Sequence, residues 1–506
     1  MLSSEQHRVR DLIASGANVF LTGGGGVGKS FTIHDVVRVE RARGRRVAVC
    51  ASTGVAADHI GGVTLHSLLG QGLAADPLDE LVRTACANRK LRSKWLQIDL
   101  LVVDEVSMLD PVFFEKTDHV VRALRNARDV PFGGVQVLLV GDFYQLPPVA
   151  PDRAPRTAGT GSPLCTPPPT FCFQTRSWLD VVHAVVELTY SFRQAGDHVF
   201  LELLNRARVG ECTLDDIDTL AGRLNVDLSV TPRLRGIEPT RMHSRRTNVD
   251  LINESKLNEL DASAQSASYT ATMSYEVDRG DRANAAGRTD RDSVRDQKVK
   301  ALQREVTKIQ TYNNTPIKLE LQLRVGAQVM LLWNLNTEQG LVNGSRGVVV
   351  GFVAAPAGAG VARDTVRPVV RFARTLAEVV IEPHTWEYKV EAAGVVSLTQ
   401  MPLQLAWAIT IHKAQGLSLD CVEMALDNSV FERGQAYVAL SRATSLEGLR
   451  LTSFRPGVIV AHPLVKEFYR ALAAAATAAT AATAATAATA PPLATAATVT
   501  VHIPIM

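Results

Sequence analysis

The sequence is short of the features that would place it quickly. Its six cysteines, Cys50, Cys86, Cys165, Cys172, Cys212 and Cys421, form no C-x-x-C pair, and no histidine cluster sits at zinc spacing. That excludes a disulfide scaffold, argues against a structural metal, and reads as reduced thiols in an intracellular protein. Charge of one sign is nearly lacking too. The net is +3 over 506 residues, so composition does not announce a nucleic-acid binder and any basic groove has to be local. No long, strongly apolar run occurs. The Ala/Thr tract near the C-terminus is too weakly hydrophobic to span a bilayer, which sets membrane partners aside. The polar stretch Met1 to Asp11 is neither a signal h-region nor an Arg-rich presequence, so no targeting segment is visible. For a eukaryotic source, nucleus and mitochondrion both stay open.

What is present is an alternation of short apolar runs with helical stretches. Val19–Thr22, Arg46–Ala51, Leu100–Asp104 and Val135–Gly141 read as strands, with helices over Lys29–Arg43 and near Phe113–Asn126. Near-continuous apolar strands such as LLVVD and VQVLLVGD are those of a parallel sheet covered on both faces. Residues 150–172, rich in Pro, Gly and Thr, read as a surface loop, and a second α/β unit starts near Val185. The segment 276–308 mixes both charges with almost no large apolar residue and reads as a solvated flexible insertion. After its charged stretch, Val299, Leu302, Val306 and Ile309 fall at a spacing that suits a short helix. Residues 325–400 hold several short strand-like runs separated by Gly, Pro and Asn, as in a small SH3-like β-barrel. The Ala-Ala-Thr repeat of the tail, 471–506, has no amphipathic face and reads as low-complexity. The expected organisation is therefore a first lobe at 1–184 with a small wedge-like insertion at 66–99. A second lobe at 185–324 and 401–470 is interrupted by the barrel at 325–400.

Gly23, Gly24, Gly25, Gly26, Val27, Gly28, Lys29 and Ser30 follow a strand and open a helix, the context a P-loop requires. The glycines let successive N–H groups curl toward phosphate oxygens, Lys29 brings positive charge to the β/γ-phosphates, and Ser30 offers a hydroxyl to Mg²⁺. In VVDEVS, Asp104 ends an apolar strand, where its carboxylate holds the Mg²⁺ through water. The adjacent Glu105 is placed to orient or deprotonate the attacking water. GDFYQLPPV closes a third strand and puts Gln145 where a polar side chain senses the γ-phosphate. These residues predict binding and hydrolysis of ATP with Mg²⁺. Phosphoryl transfer also calls for an arginine. Arg442 in YVALSRAT and Arg193 in YSFRQ are candidates, although a lone arginine is more often a surface residue.

The ordered set GGGGVGKS, ASTGVAA, TLHSLLG, VVDEVSMLD, PFGGVQVLLVGDFYQLPPV, LTYSFRQ, GLVNGSRGVVVGF, LQLAWAITIHKAQG and FERGQAYVALSRATSLEGLRL resembles the petite-integration-frequency family of superfamily 1 DNA helicases, from about Leu2 to Phe468. The resemblance implies two RecA-like P-loop lobes and an ATP-dependent enzyme moving 5′ to 3′ on single-stranded DNA. It implies action on forked DNA, RNA–DNA hybrids and G-quadruplexes, in replication, repair, recombination or telomere maintenance, by a monomer. It matches Gln6 to the reader of adenine, and Arg193, Gly416 and Arg442 to closure of the ATP site by the second lobe. Thr53, Thr64, His66, His412, Lys413 and Gln415 match DNA contacts. Helix capping or core packing remains open for His66, and core packing is the first reading of Trp333 and Trp407. A RecD-like ATPase or translocase with little unwinding of its own is the alternative within the class, and a non-enzymatic DNA-binding scaffold the alternative outside it.

Overall fold

A computed structural model describes residues 2–487, apart from 71–75, 149–168, 195, 229–236, 278–287, 313–316, 337–338, 355–365, 374 and 391–392. Most of the loop read at 150–172 lies outside the described residues. The chain forms two compact units. The first comprises 1–213, 432–438 and 457 onward; the second comprises 214–431 and 439–456.

The first unit is built on six parallel strands: β1 (Val19–Gly23), β2 (Val47–Ala51), β3 (Val63–Thr64), β4 (Leu100–Asp104), β5 (Gln136–Val140) and β6 (Ala184–Leu188). Their order is β3-β2-β4-β5-β1-β6. Because side chains alternate across a strand, the apolar runs feed both faces. Phe20, Leu101, Val103, Val137 and Leu139 enter one core, whereas Val19, Leu21, Leu100, Val102, Leu138 and Val140 enter the other. Within 66–99, the helices Leu78–Ala87 and Arg89–Gln97 send Leu81, Ala85, Leu91 and Trp95 into the first of these cores.

Two boundaries differ from the sequence reading. β6, taken as the start of the second lobe, pairs in parallel with β1 from Val19↔Ala184 to Gly23↔Leu188 and edges the first sheet. The helix Pro463–Ala487, whose first part was assigned to the second lobe, inserts Val465, Phe468 and Leu472 into the core of the first unit. That helix also runs through much of the Ala-Ala-Thr tract. Once its first turns are fixed by packing, alanine-rich sequence propagates the helix without an apolar face of its own.

The second unit carries a parallel sheet ordered Ala408–Thr410, Thr240–His243, Val422–Leu426 and Leu449–Phe454. Its remaining strands are antiparallel. Those of 325–400 do not gather into one sheet among the described residues. Gln328–Leu331, Arg346–Ala354, Val366–Phe372 and Glu378–Val380 form a five-stranded sheet with Leu403–Leu405. The hairpin of His384–Val390 and Gly394–Gln400 pairs instead with Thr272–Val277.

The charged segment corrects a further expectation. The short helix expected over 299–309 is the end of a longer one, Arg288–Tyr312, that replaces part of the expected loop, with Leu302 and Ile309 buried against Trp386, Val396 and Leu398 of that hairpin. Leu302 and Ile309, joined by half-buried Ala301 and Val306, dock a helix that is otherwise charged.

Candidate active site

The P-loop begins where β1 ends, and the fold crowds a side chain at Gly23 and Gly28. A Cβ on Gly23 would stand 2.4 Å from the Leu188 carbonyl oxygen of β6, and one on Gly28, at φ +88°, would stand 3.0 Å from Gln6 Nε2. Lys29 opens the next helix, Lys29–Ala42, and folds back so that its Nζ donates to the carbonyls of Gly23 (2.8 Å) and Gly24 (2.9 Å). Burial lowers the pKa of this ammonium, while the carboxylates of Asp142, Glu105 and Asp104 oppose the shift. Ser30 is exposed.

Asp104 ends β4 with 5% of its surface exposed and accepts the Glu105 N–H at 2.8 Å. Desolvation by burial raises its pKa to about 7, and Glu105 adds to the rise, whereas that hydrogen bond and Lys29 work against it. Glu105 itself adopts φ 51° and ψ 45°. Left-handed backbone at a residue with a Cβ costs about 1–2 kcal/mol. The Ser52 hydroxyl, donating to the Glu105 carbonyl at 2.9 Å, helps hold it.

The elevated carboxyl has a stability consequence. Its folded pKa lies above its unfolded one, so the folded state holds a proton that the unfolded state releases, and stability declines as pH rises through that window. Asp104→Asn is therefore expected to melt above the wild type at pH 7.5, without metal or nucleotide, by a margin that shrinks toward pH 5. Differential scanning calorimetry checks this, and a margin constant with pH would refute it.

Gln145 follows β5 and is 4% exposed; its Nε2 donates to Asp142 Oδ2 at 3.3 Å. Asp142, fully buried, also accepts the Tyr144 N–H at 3.2 Å and the guanidinium of Arg208. Arg208 stands near the end of the helix His198–Val209 and reaches Glu187 of β6 at 2.9 Å with its other nitrogen. Its guanidinium carbon lies 5.0 Å from the centre of the Tyr144 ring and 5.4 Å from that of Tyr469. The Tyr469 oxygen accepts the Phe143 N–H at 3.3 Å and pairs with Thr22 Oγ1 at 2.6 Å.

Gln6 sits on the first helix, Ser4–Ala14, locked by a capping box in which its Oε1 accepts the Ser3 N–H (2.9 Å) and its own N–H meets Ser3 Oγ (3.2 Å). Its Nε2 is buried with no hydrogen-bond partner among the described residues, facing Gly28. A buried unpaired donor costs about 1–3 kcal/mol, so its place beside the P-loop is that of a group with a ligand to meet. Arg193, which fell in the range expected for the second lobe, lies within the first unit against the P-loop: its Cβ is 2.6 Å from where a Gly26 Cβ would stand. The neighbouring Phe192 N–H donates to the Gly26 carbonyl at 2.9 Å.

The first unit thus brings together Gln6, Gly23 through Ser30, Asp104, Glu105, Gln145 and Arg193. It also holds three residues that the sequence reading had not singled out: Arg208, Tyr437 and Tyr469. Tyr437 lay inside a quoted motif, and Asp142 stood in the GDFYQLPPV motif, but no local pattern marks Arg208 or Tyr469.

The candidate DNA residues fall into two groups. In the first unit, Thr53 and Thr64 cap short helices, accepting the N–H groups of Ala56 and Ser67 at 3.2 Å each. His66 stacks on Phe113 with ring centres 3.7 Å apart and planes 6° from parallel, and burial lowers its pKa. In the second unit, His412 and Lys413 lie on the helix Ile411–Ala414, capped by Thr410, with Gln415 and Gly416 following. Lys413 shares a cavity with Arg246 and Lys318, beside Asp250. Burial lowers the Lys413 pKa, and the two cations add to the shift. Arg442 is 2% exposed and donates to Ser441 Oγ (2.7 Å) and the Ala414 carbonyl (3.4 Å). Trp407 packs in the antiparallel core, and Trp333 is half-buried against His384 at 4.1 Å.

The chain is similar to known proteins over most of its length. Residues 1–214 match the family model of PIF1-like helicases, and residues 311–352 match the 2B domain of the DNA helicase Pif1. An ATP-dependent DNA helicase PIF1 of Xenopus laevis is 39% identical over 93% of this chain, which spans 64% of that relative's length. The crystal structure of Pif1 helicase from Candida albicans covers 93% of this chain and 99% of its own, with 31% identity and a TM-score of 0.71. A Bacteroides Pif1 helicase in complex with ADP-AlF3 and ssDNA gives 28% identity and a TM-score of 0.61 over 94% and 98% of the two chains. The chain belongs to the PIF1-like helicase family.

Proposed function

We propose that this protein is an ATP-dependent DNA helicase that translocates 5′ to 3′ on single-stranded DNA and opens forked duplexes. The observation that carries the reading is the convergence of Lys29, Asp104, Glu105 and Gln145 at the ends of β1, β4 and β5, with Gln6 leaving a buried amide donor beside the loop. A scaffold that merely bound DNA would need none of these together. In this reading Gln6 meets adenine, the loop N–H groups and Lys29 hold the phosphates, and Glu105 orients water. Gln145, Arg193 and Arg442 meet the transferring phosphoryl group.

The donor set fits Mg²⁺: a buried carboxyl that resists ionising beside Glu105 gains from a cation, and Ser30 adds a neutral hydroxyl. Bound there, the ion would neutralise charge on the phosphates. Thr53, Thr64 and His66, and in the second unit His412, Lys413 and Gln415, contact the strand. Phosphate contacts make such binding largely sequence-independent and weaker in salt. RNA–DNA hybrids and G-quadruplexes belong to the same substrate range, and the protein acts as a monomer.

The test is strand release from matched forks carrying only a 5′ or only a 3′ single-stranded tail. ATP-dependent release from the 5′-tailed fork is expected. Release from the 3′-tailed fork alone would overturn the polarity. DNA-stimulated ATP turnover without release from either would favour a RecD-like translocase, and no turnover at all would leave a DNA-binding scaffold.

A further inference from the structure

Tyr437 stands on the short helix Gln435–Leu440, 4% exposed, and its hydroxyl oxygen accepts the N–H of Gly25 at 2.9 Å. That N–H belongs to the same peptide unit as the Gly24 carbonyl, which accepts Lys29 Nζ. One peptide of the P-loop is therefore held at both ends, by Lys29 on its oxygen and by Tyr437 on its nitrogen. Hydrogen bonds linked in series strengthen one another, so drawing Lys29 away weakens the grip of Tyr437 as well. In a P-loop the N–H groups closest to the helix cradle the α/β-phosphates and the lysine reaches on to the γ-phosphate. The Gly24–Gly25 peptide, before that cradle and under Lys29, lies at the γ end. The helix is seated firmly. A Cβ on Gly434, just ahead of it, would stand 2.5 Å from the Tyr144 carbonyl oxygen and 2.7 Å from that of Gln145. Arg442 follows Tyr437 closely along the chain.

Resting on the ATP-site reading above, we propose that Tyr437 is a positioning residue that distinguishes nucleoside triphosphate from diphosphate. Its hydroxyl holds the Gly24–Gly25 peptide while no γ-phosphate is present, and gives that N–H up when one arrives. The hydroxyl thus competes with triphosphate and not with diphosphate.

The experiment measures the affinities of full-length wild type, Tyr437→Phe and Gly24→Ala for a fluorescent β,γ-methylene ATP analogue and for fluorescent ADP, both with Mg²⁺. Losing one net hydrogen bond from the nucleotide-free state is expected to tighten the analogue by about fivefold and leave ADP within about twofold. Gly24→Ala approaches the same contact from the other side, since its Cβ would stand 3.1 Å from the Tyr437 hydroxyl, at a residue whose backbone is not left-handed. The same direction is expected. Equal changes for both nucleotides, or none, would overturn the assignment, as would weaker analogue binding, which would make the hydroxyl a phosphate ligand instead. A wild type that binds neither nucleotide would overturn the ATP-site reading and this inference with it. A wild type that binds both, with variants that keep its ratio, overturns the inference alone.

Discussion

Lys29→Ala is expected to lower DNA-stimulated ATP turnover by about a hundredfold or more while single-stranded DNA binding survives. The magnitude follows from what the ammonium does. Phosphoryl transfer involves little covalent help from the protein, so rate depends on positioned charge at the phosphates. Lys29 is the cation at the loop itself, and its Nζ already sits on the Gly23 and Gly24 carbonyls, ready to exchange them for phosphate oxygens. Its loss also leaves Asp104, Glu105 and Asp142 without the positive charge that acts on all three. The fold should tolerate the change, because burial already disfavours the charged form of this side chain. The candidate DNA residues are elsewhere, at Thr53, Thr64 and His66 and in the second unit around Lys413. Turnover by a coupled assay and DNA affinity by fluorescence anisotropy check the two halves separately. Undiminished turnover would refute the assignment of the ATP site, and joint loss of both would show that Lys29 supports structure rather than chemistry.

The parts of this site that were legible in the sequence are those made by neighbours along the chain. A strand, a glycine turn and a helix are contiguous, so Gly23 through Ser30 announced themselves, as did Asp104 and Gln145 at the ends of apolar runs. The parallel sheet was legible for the same reason. What was not legible depends on where distant segments return. β6 shows alternating burial, with Glu187 exposed, and nothing local states which sheet such an edge strand joins. The helix from Pro463 carries Val465, Phe468 and Leu472 on one face, but the core they fill is contributed by residues hundreds of positions earlier. In 288–312 the spacing of Val299, Leu302, Val306 and Ile309 announced only a short helix, because charges outnumber apolar residues before it; the hairpin around Trp386 supplies the surface against which the longer helix docks. Arg208 and Tyr469 escaped for a related reason. An arginine becomes part of a site by what it is buried against, and composition does not record that.

Arg208 is the residue for which that lesson has the largest measurable effect. Its side chain is 11% exposed and its guanidinium meets a fully buried Asp142 through bonds of 3.0–3.2 Å, beside the stacked rings of Tyr144 and Tyr469. Removing one partner of a buried ion pair strands the other, at a cost of about 3–5 kcal/mol. Arg208→Met, which fills part of the volume without the charge, is therefore expected to lower the melting temperature by on the order of 10 °C for a unit of this size. It should also raise the KM for ATP. Asp142 already acts on Lys29, and without Arg208 its carboxylate has the Lys29 ammonium as its remaining cation, competing with phosphate. Adding Asp142→Asn removes the stranded charge while keeping an oxygen for the Tyr144 N–H. The double variant should then recover most of the lost stability and much of the lost nucleotide affinity, a coupling above about 1 kcal/mol in the double-mutant cycle. Strictly additive losses would mean that the pair is not the unit holding this end of the site. An Arg208→Met protein as stable and as active as the wild type would show that the stacked Tyr144–Tyr469 pair, not the ion pair, seats Gln145.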